Sequence, residues 1–164
     1  MDPDNHKAVV KLHKDLTRDV VNNTGTNYQY DFFNRVYGMD ATQEGVFETL
    51  AKDVVDSTFE GFNGTIFAYG QTGSGKTYTM TGGETYDDRG LIPRILQYAF
   101  SKINESTDRV HKVTISYMQL YCEKGYDLLD EKSNAENLKD LPLCKMWENS
   151  DGRMVMQNLS VHHV

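Results

Sequence analysis

Apolar positions along this 164-residue chain recur with two periods, and the change of period marks the elements. From Thr42 to Phe59 the period is helical. Val46, Leu50, Val54 and Thr58 repeat at i+4, and Phe47, Ala51 and Val55 widen the stripe. Thr42 carries the hydroxyl an N-cap uses, and Gly61 is a natural stop. The pattern predicts one helix with its stripe on a core. Gly90 to Ser101 is helical again, with Leu91, Ile95, Leu96, Ala99 and Phe100 apolar. Pro93 falls in its first turn, where a missing N–H costs nothing.

Elsewhere the period is two. Tyr28 to Phe33 alternates bulky and polar residues and predicts a strand, closed by a Gly-containing loop from Val36 to Asp40. Val20 to Thr26, before it, ends in a turn signal. Val110 to Tyr121 reads as one long strand. Val113, Ile115, Tyr117 and Gln119 point one way, and Thr114, Ser116, Met118 and Leu120 the other. Gly125 is the expected turn after it, with a short return element over Tyr126 to Leu129 and a polar loop over Glu131 to Asp140. Leu143 to Trp147 and Met154 to Val161, separated by ENSDGR, predict a hairpin. Met1 to Lys14 is polar with an apolar patch at Ala8 to Leu12, which leaves a frayed strand and a disordered lead-in both open.

Between the two helical patterns lies GTIFAYGQTGSGKTYTM, Gly64 to Met80. Thr65 to Tyr69 is a short apolar run suited to a buried parallel strand. Gly70 to Thr77 fits G-x-x-x-x-G-K-[ST], the phosphate-binding loop. Gly70, Gly73 and Gly75 free the backbone to turn successive N–H groups onto a phosphate. A helix starting near Gly75 puts its positive end under the anion. Lys76 reaches the β- and γ-phosphates, and the Thr77 hydroxyl suits Mg²⁺. The bare pattern arises by chance in about one chain in a few hundred of this length, and the competing reading is a Gly-rich turn with an incidental lysine. The order strand, loop, helix predicts an α/β fold. The helix after the loop is short, ended by Gly82-Gly83, and Glu84 to Asp88 is a polar loop.

Composition narrows the function. Twenty-four acidic against 17 basic residues give a net charge of −7, which argues against nucleic acid as a partner. The apolar content of 38%, with 10 Tyr and 7 Phe, is enough for one packed domain. Cys122 and Cys144 are too few and too far apart for a zinc site, and read as reduced thiols of an intracellular protein. No apolar run approaches a membrane span, so no membrane partner is expected, and the polar start MDPDNHK is neither a secretory signal nor a transit peptide. His162 and His163 are adjacent, so on a strand they face apart and do not share one metal. Trp147 reads as core or hairpin packing, and Asp87-Asp88-Arg89 as a solvated loop.

These residues resemble the front of a kinesin motor domain. NGTIFAYGQTGSGKTYTM is similar to that family's P-loop region. YQYDFFNRVYG resembles the strand before its first large helix, and GLIPRI the start of the helix after the P-loop. ISYMQLYCEKGYDLLD resembles its Ser-Tyr-x-Glu-Ile-Tyr-Asn-Glu strand followed by Asp-Leu-Leu. The likeness runs from about Leu16 to the last residue, leaving 1–15 as a polar lead-in and 16–164 as a partial motor domain. VVNN, ETLAKDVV, EKGYDLLD and NLSVH are similar to the kinesin-9 branch.

The resemblance implies a P-loop NTPase with a central mixed sheet flanked by helices, here incomplete at both ends. It implies ATP and Mg²⁺ held by Gly70, Gln71, Thr72, Gly73, Ser74, Gly75, Lys76 and Thr77, with Thr77 on the metal and Tyr78 against the adenine. It places Asp87-Asp88-Arg89 in the loop next to the nucleotide. It implies a microtubule-based ATPase with tubulin as partner, homodimers formed through a coiled coil outside this chain, and a place in the cytoplasm and cytoskeleton, with the cilium or flagellum suggested by the kinesin-9 likeness.

Departures from the family pattern are informative. An Arg-x-Arg-Pro-like first strand is missing, and so are both switch motifs, Asn-x-x-Ser-Ser-Arg-Ser-His and Asp-Leu-Ala-Gly-Ser-Glu. Gln119 and Cys122 stand where the family has Glu and Asn, and neither receives a site role. The catalytic residues are therefore expected outside this chain, and the chain is expected to be inactive alone. Two other readings stand beside this one: a non-catalytic nucleotide-binding or protein-interaction module derived from a kinesin, and a small P-loop kinase. The kinase reading lacks an acceptor pocket and a basic lid.

Overall fold

The computed structural model describes residues 7–11, 27–30, 32–130 and 136–164, which fall into two compact units, Met1–Ser106 and Thr107–Val164. The turn expected over Val20 to Thr26 lies outside the described residues, as do parts of the lead-in and of the loop after Glu131.

In the first unit, strands β1 (Ala8–Lys11) and β2 (Asn27–Tyr30) pair antiparallel, Ala8 opposite Tyr30 and Lys11 opposite Asn27. The patch at Ala8 is thus a strand, and β2 is shorter than the predicted Tyr28 to Phe33, since Phe32 and Phe33 join no ladder. Helix α1 (43–59) runs as Gln43–Val46, a π-helical turn Phe47–Ala51 and Lys52–Phe59. Thr42 caps it as expected, its Oγ1 accepting from the Gly45 N–H at 3.0 Å. Within the π turn the Lys52 N–H reaches the Phe47 carbonyl, five residues back. Thr49 Oγ1 donates to the Gly45 carbonyl at 2.6 Å, a side-chain competitor for the helical ladder.

The buried row of α1 differs from the expected one. Gln43, Phe47, Ala51 and Val55 are buried, whereas Leu50 is 41% exposed. Two adjacent i+4 rows are apolar, and periodicity alone does not say which meets the neighbour. The neighbour is helix α3 (Leu91–Glu105), which ends four residues beyond the predicted Ser101. Phe47, Ala51 and Leu91 form the core, with Val46, Ile66, Met80, Ile95 and Tyr98 packed around them. Leu96, predicted on the apolar face, is 40% exposed, and Tyr98 takes its place edge-on to Phe47 with ring centroids 5.8 Å apart. At the rim, the Asp56 carboxylate accepts from Tyr98 Oη at 2.9 Å and from Lys102 Nζ at 2.5 Å. The Lys102 bond, then the Tyr98 bond, hold the Asp56 carboxyl below its ordinary range.

Thr65 to Tyr69 corrects the sequence reading. No strand forms there, and Phe67 and Tyr69 are 81% and 94% exposed. Ile66 and Ala68 are half-buried while Thr65, Phe67 and Tyr69 are exposed, an alternation that keeps the period of a strand. Ladder partners are what is missing: among the described residues every pairing is antiparallel, and none involves this segment. A parallel strand needs neighbours from elsewhere in the chain, which its own apolarity does not supply.

The second unit is an antiparallel meander. Strands β4 (Met118–Tyr121), β5 (Lys124–Asp127), β6 (Leu143–Glu148) and β7 (Met154–Gln157) make one sheet in that order. Strand β3 (Thr114–Ile115) pairs with β8 (His162–His163). The single strand expected over Val110 to Tyr121 is therefore two, which change partner between Ile115 and Met118. The turn expected at Gly125 is Cys122-Glu123, with φ of 48° and 61°, the positive pair a tight hairpin needs. Gly125 instead lies within β5, where a Cβ would come 3.0 Å from Met118 Sδ and 3.3 Å from Cys144 Cβ. The predicted hairpin is present as β6–β7, Trp147 facing Val155. Both cysteines are free thiols, Cys122 exposed and Cys144 buried.

Candidate nucleotide-binding site

Residues 70–77 form a loop that ends on helix α2 (Lys76–Met80), as the motif predicts. Gly73 and Gly75 have φ of +82° and +89°, in the left-handed region that a side chain resists. The first helical bond runs from the Thr79 N–H to the Gly75 carbonyl at 2.8 Å, and Thr79 Oγ1 donates to the same oxygen at 3.0 Å. Ahead of it, the N–H groups of Gly73, Gly75, Lys76 and Thr77 have no acceptor among the described residues, while the Ser74 N–H closes a turn onto the Gln71 carbonyl at 3.2 Å. Backbone donors left without a partner in a glycine-rich loop are what an anion needs.

Lys76 Nζ donates to the Gln71 carbonyl at 2.6 Å, so the ammonium is folded over the loop. A phosphate entering there offers this cation a charged acceptor in place of a neutral one. Thr77, the next residue, is exposed. Gln71, Thr72, Gly73, Ser74 and Gly75 are exposed, and Gly70 is half-buried. Donor set and hydroxyl together fit a Mg²⁺-bound phosphate chain.

Tyr78 follows immediately and is 52% exposed. Its carbonyl accepts from Gln43 Nε2 at 2.6 Å, and its hydroxyl donates to Asp88 Oδ1 at 3.1 Å. The ring lines a cleft of about 810 Å³ between the start of α1, the 86–89 loop and α3. Arg89 lies over the Tyr86 ring at 3.3 Å and donates to Gln97 Oε1 at 3.0 Å. Hydrogen bonds from Gln97, then Arg89, hold the Tyr86 phenol below its ordinary value. Gln43 and Asp88 were not singled out for this role from sequence. A glutamine heading the otherwise apolar row 43, 47, 51, 55 is the one sign that could have flagged the first.

The kinesin motor domain model matches residues 2–164. The chain belongs to the kinesin motor domain family. Kinesin-like protein KLP1 of Chlamydomonas reinhardtii is 43% identical over 79% of this chain and 16% of its own length. Kinesin-like protein KIF9 of Homo sapiens is 45% identical over 77% of this chain and 16% of its length. Both are kinesin-9 proteins, the branch whose likeness the sequence carries. A solved structure of a fast kinesin superposes with a TM-score of 0.72 at 34% identity, over 84% of this chain and 37% of that one. The mixed helices and strands of the chain are thus consistent with part of a kinesin motor fold. The chain spans about a sixth of the length of these two curated relatives.

Proposed function

We propose that this chain is the ATP-binding part of a microtubule motor. The observation that carries this is the loop 70–77, with two left-handed glycines, unpaired N–H groups and Lys76 folded across it. Gly70 to Thr77 hold the phosphates, Thr77 takes Mg²⁺, and Tyr78 lies against the adenine. The metal, when bound, neutralises charge on the β- and γ-phosphates. Lys76 orients the phosphate chain, and the loop N–H groups fix it without a change in backbone shape. In the whole protein, hydrolysis is coupled to binding and movement along tubulin. The dimer forms through a coiled coil elsewhere in the polypeptide, and the motor works on the cytoskeleton, including that of a cilium or flagellum.

A second reading is a non-catalytic nucleotide-binding or protein-interaction module. The loop 70–77 serves either reading, because holding a phosphate needs only its N–H groups and the helix start. A microtubule-stimulated ATPase assay on the full-length protein separates the two. The nucleotide site itself is tested by Lys76→Ala in that protein. A charge-assisted bond contributes about 1.5–3 kcal/mol, so affinity for Mg·ATP falls about tenfold or more. Unchanged affinity would remove the assignment.

A further inference from the structure

We propose that Asp88 is a positioning residue for Tyr78, so that the loop 82–90 sets how firmly the nucleobase is gripped while leaving the phosphates alone. The inference rests on the reading just given, with 70–77 as the phosphate cradle and Tyr78 as the ring on the base side.

Tyr78 is one residue from the Thr77 hydroxyl, and half of its surface is open. A tyrosine so exposed loses side-chain freedom when it stacks, unless something has already fixed it. Two groups fix this one. Gln43, itself buried, grips the main chain at the Tyr78 carbonyl, and Asp88 accepts from the ring hydroxyl.

Asp88 is in turn held from several sides. Thr85 Oγ1 donates to its Oδ2 at 2.6 Å, its N–H donates to Thr85 Oγ1 at 3.3 Å, and its carbonyl accepts from the Gly83 N–H at 2.9 Å. The loop is closed at its base by the Gly82–Arg89 bridge and by the Gly90 N–H on the Thr81 carbonyl at 3.0 Å. There the two backbones touch: a Cβ on Gly82 would lie 2.2 Å from the Asp88 carbonyl oxygen, and one on Gly90 2.6 Å from that of Met80. Arg94 tethers the far side, donating to the Arg89 and Asp87 carbonyls at 2.8 Å each. The carboxylate is therefore a fixed point, and its bond to the hydroxyl transfers that fixity to the ring.

The test uses the full-length protein and two probes with Mg²⁺: ATP, and inorganic tripolyphosphate, which has no base. Asp88→Ala weakens ATP binding about three- to tenfold, with KM raised and kcat kept, and leaves tripolyphosphate binding unchanged. Tyr78→Phe, which keeps the ring and loses the hydroxyl, reproduces that loss, and the double variant loses no more than either single one. Asp88→Asn, which keeps an acceptor oxygen, restores most of the affinity. Equal weakening of both probes by Asp88→Ala, or additive losses in the double variant, overturns the proposal. Tyr78→Ala separates it from the reading beneath it. If that variant leaves the ratio of ATP to tripolyphosphate affinity unchanged, the base-side role of Tyr78 fails and the proposal with it. If the ratio falls for Tyr78→Ala but not for Asp88→Ala or Tyr78→Phe, the base-side role stands and the positioning role alone is overturned.

Discussion

Phe47→Ala tests which face of α1 carries the first unit. Phe47 is 6% exposed, packs with Ala51 and Leu91, and meets the Tyr98 ring edge-on at 5.8 Å. Truncating a buried phenylalanine costs about 3–5 kcal/mol, the transfer of the ring plus the cavity left behind. Val46, Ile66, Met80, Ile95 and Tyr98 around it are only partly buried and have room to close in. The low end, about 3 kcal/mol, is therefore expected. Against a total of about 5–15 kcal/mol for a domain, that is a large share. With a urea slope near 2 kcal/mol per molar, the midpoint falls by about 1.5 M. Far-UV circular dichroism is the right probe, because α1, α2 and α3 all lie in Met1–Ser106. Leu50→Ala is the paired control: Leu50 is 41% exposed, so its loss is expected below about 1 kcal/mol. A midpoint shift below about 0.5 M for Phe47→Ala at unchanged slope would refute the buried row, as would a larger loss for Leu50→Ala than for Phe47→Ala.

In the second unit, burial by itself would raise the Asp127 carboxyl, but bonds from the Ser160 hydroxyl, the Ser160 N–H and the Leu129 N–H outweigh it and hold the group below its ordinary 3.8. A folded value below the unfolded one stabilises above 3.8 and is lost as pH falls beneath it. Urea midpoints followed by the fluorescence of Trp147, the chain's single tryptophan, should drop in that acid window, and drop less in Asp127→Asn; equal acid sensitivity in both contradicts this. The isolated 164-residue chain should show no microtubule-stimulated ATP turnover, since both switch motifs are missing from it and its net charge of −7 gives little attraction to an acidic filament. A steady-state ATPase assay with and without polymerised microtubules checks it, and clear stimulation would mean that the chemistry needs fewer residues than the family pattern suggests.

What was legible in the sequence is what short-range chemistry decides. The Thr42 cap, the extent of α1, the left-handed glycines of 70–77 and the β6–β7 hairpin are each set by residues a few positions apart. Features decided at a distance were misread. The strand break between Ile115 and Met118 follows from pairing with His162–His163 on one side and Lys124–Asp127 on the other, and no residue of 110–121 announces it. The Cys122-Glu123 turn was hidden because Gly125 looked like the better turn former, while close packing against Cys144 is what requires glycine there. At the candidate site, the glycine-rich loop leading into α2 was legible, but the supports of Tyr78 come from 35 and 10 residues away.

This division has a functional consequence at residue 70. The cradle is local: its bends are glycine dihedrals, and its last support is the Thr79 to Gly75 bond. Its mounting is not local, because the chain enters through 65–69, whose alternating burial seats Ile66 and Ala68 while Phe67 and Tyr69 stand in solvent. Exposed aromatic surface of that size is unfavourable, and a layer packed on that face would cover it, while ladder partners on both edges would pair this backbone and pin the direction from which Gly70 departs. Holding a phosphate needs only the donors of the loop. Turnover needs the loop aimed at groups that orient water and sense the γ-phosphate, and that aim comes from the sheet. Affinity for phosphate can therefore reside in 70–77 by itself, while turnover would require ladder partners for 65–69 and further groups beyond the loop.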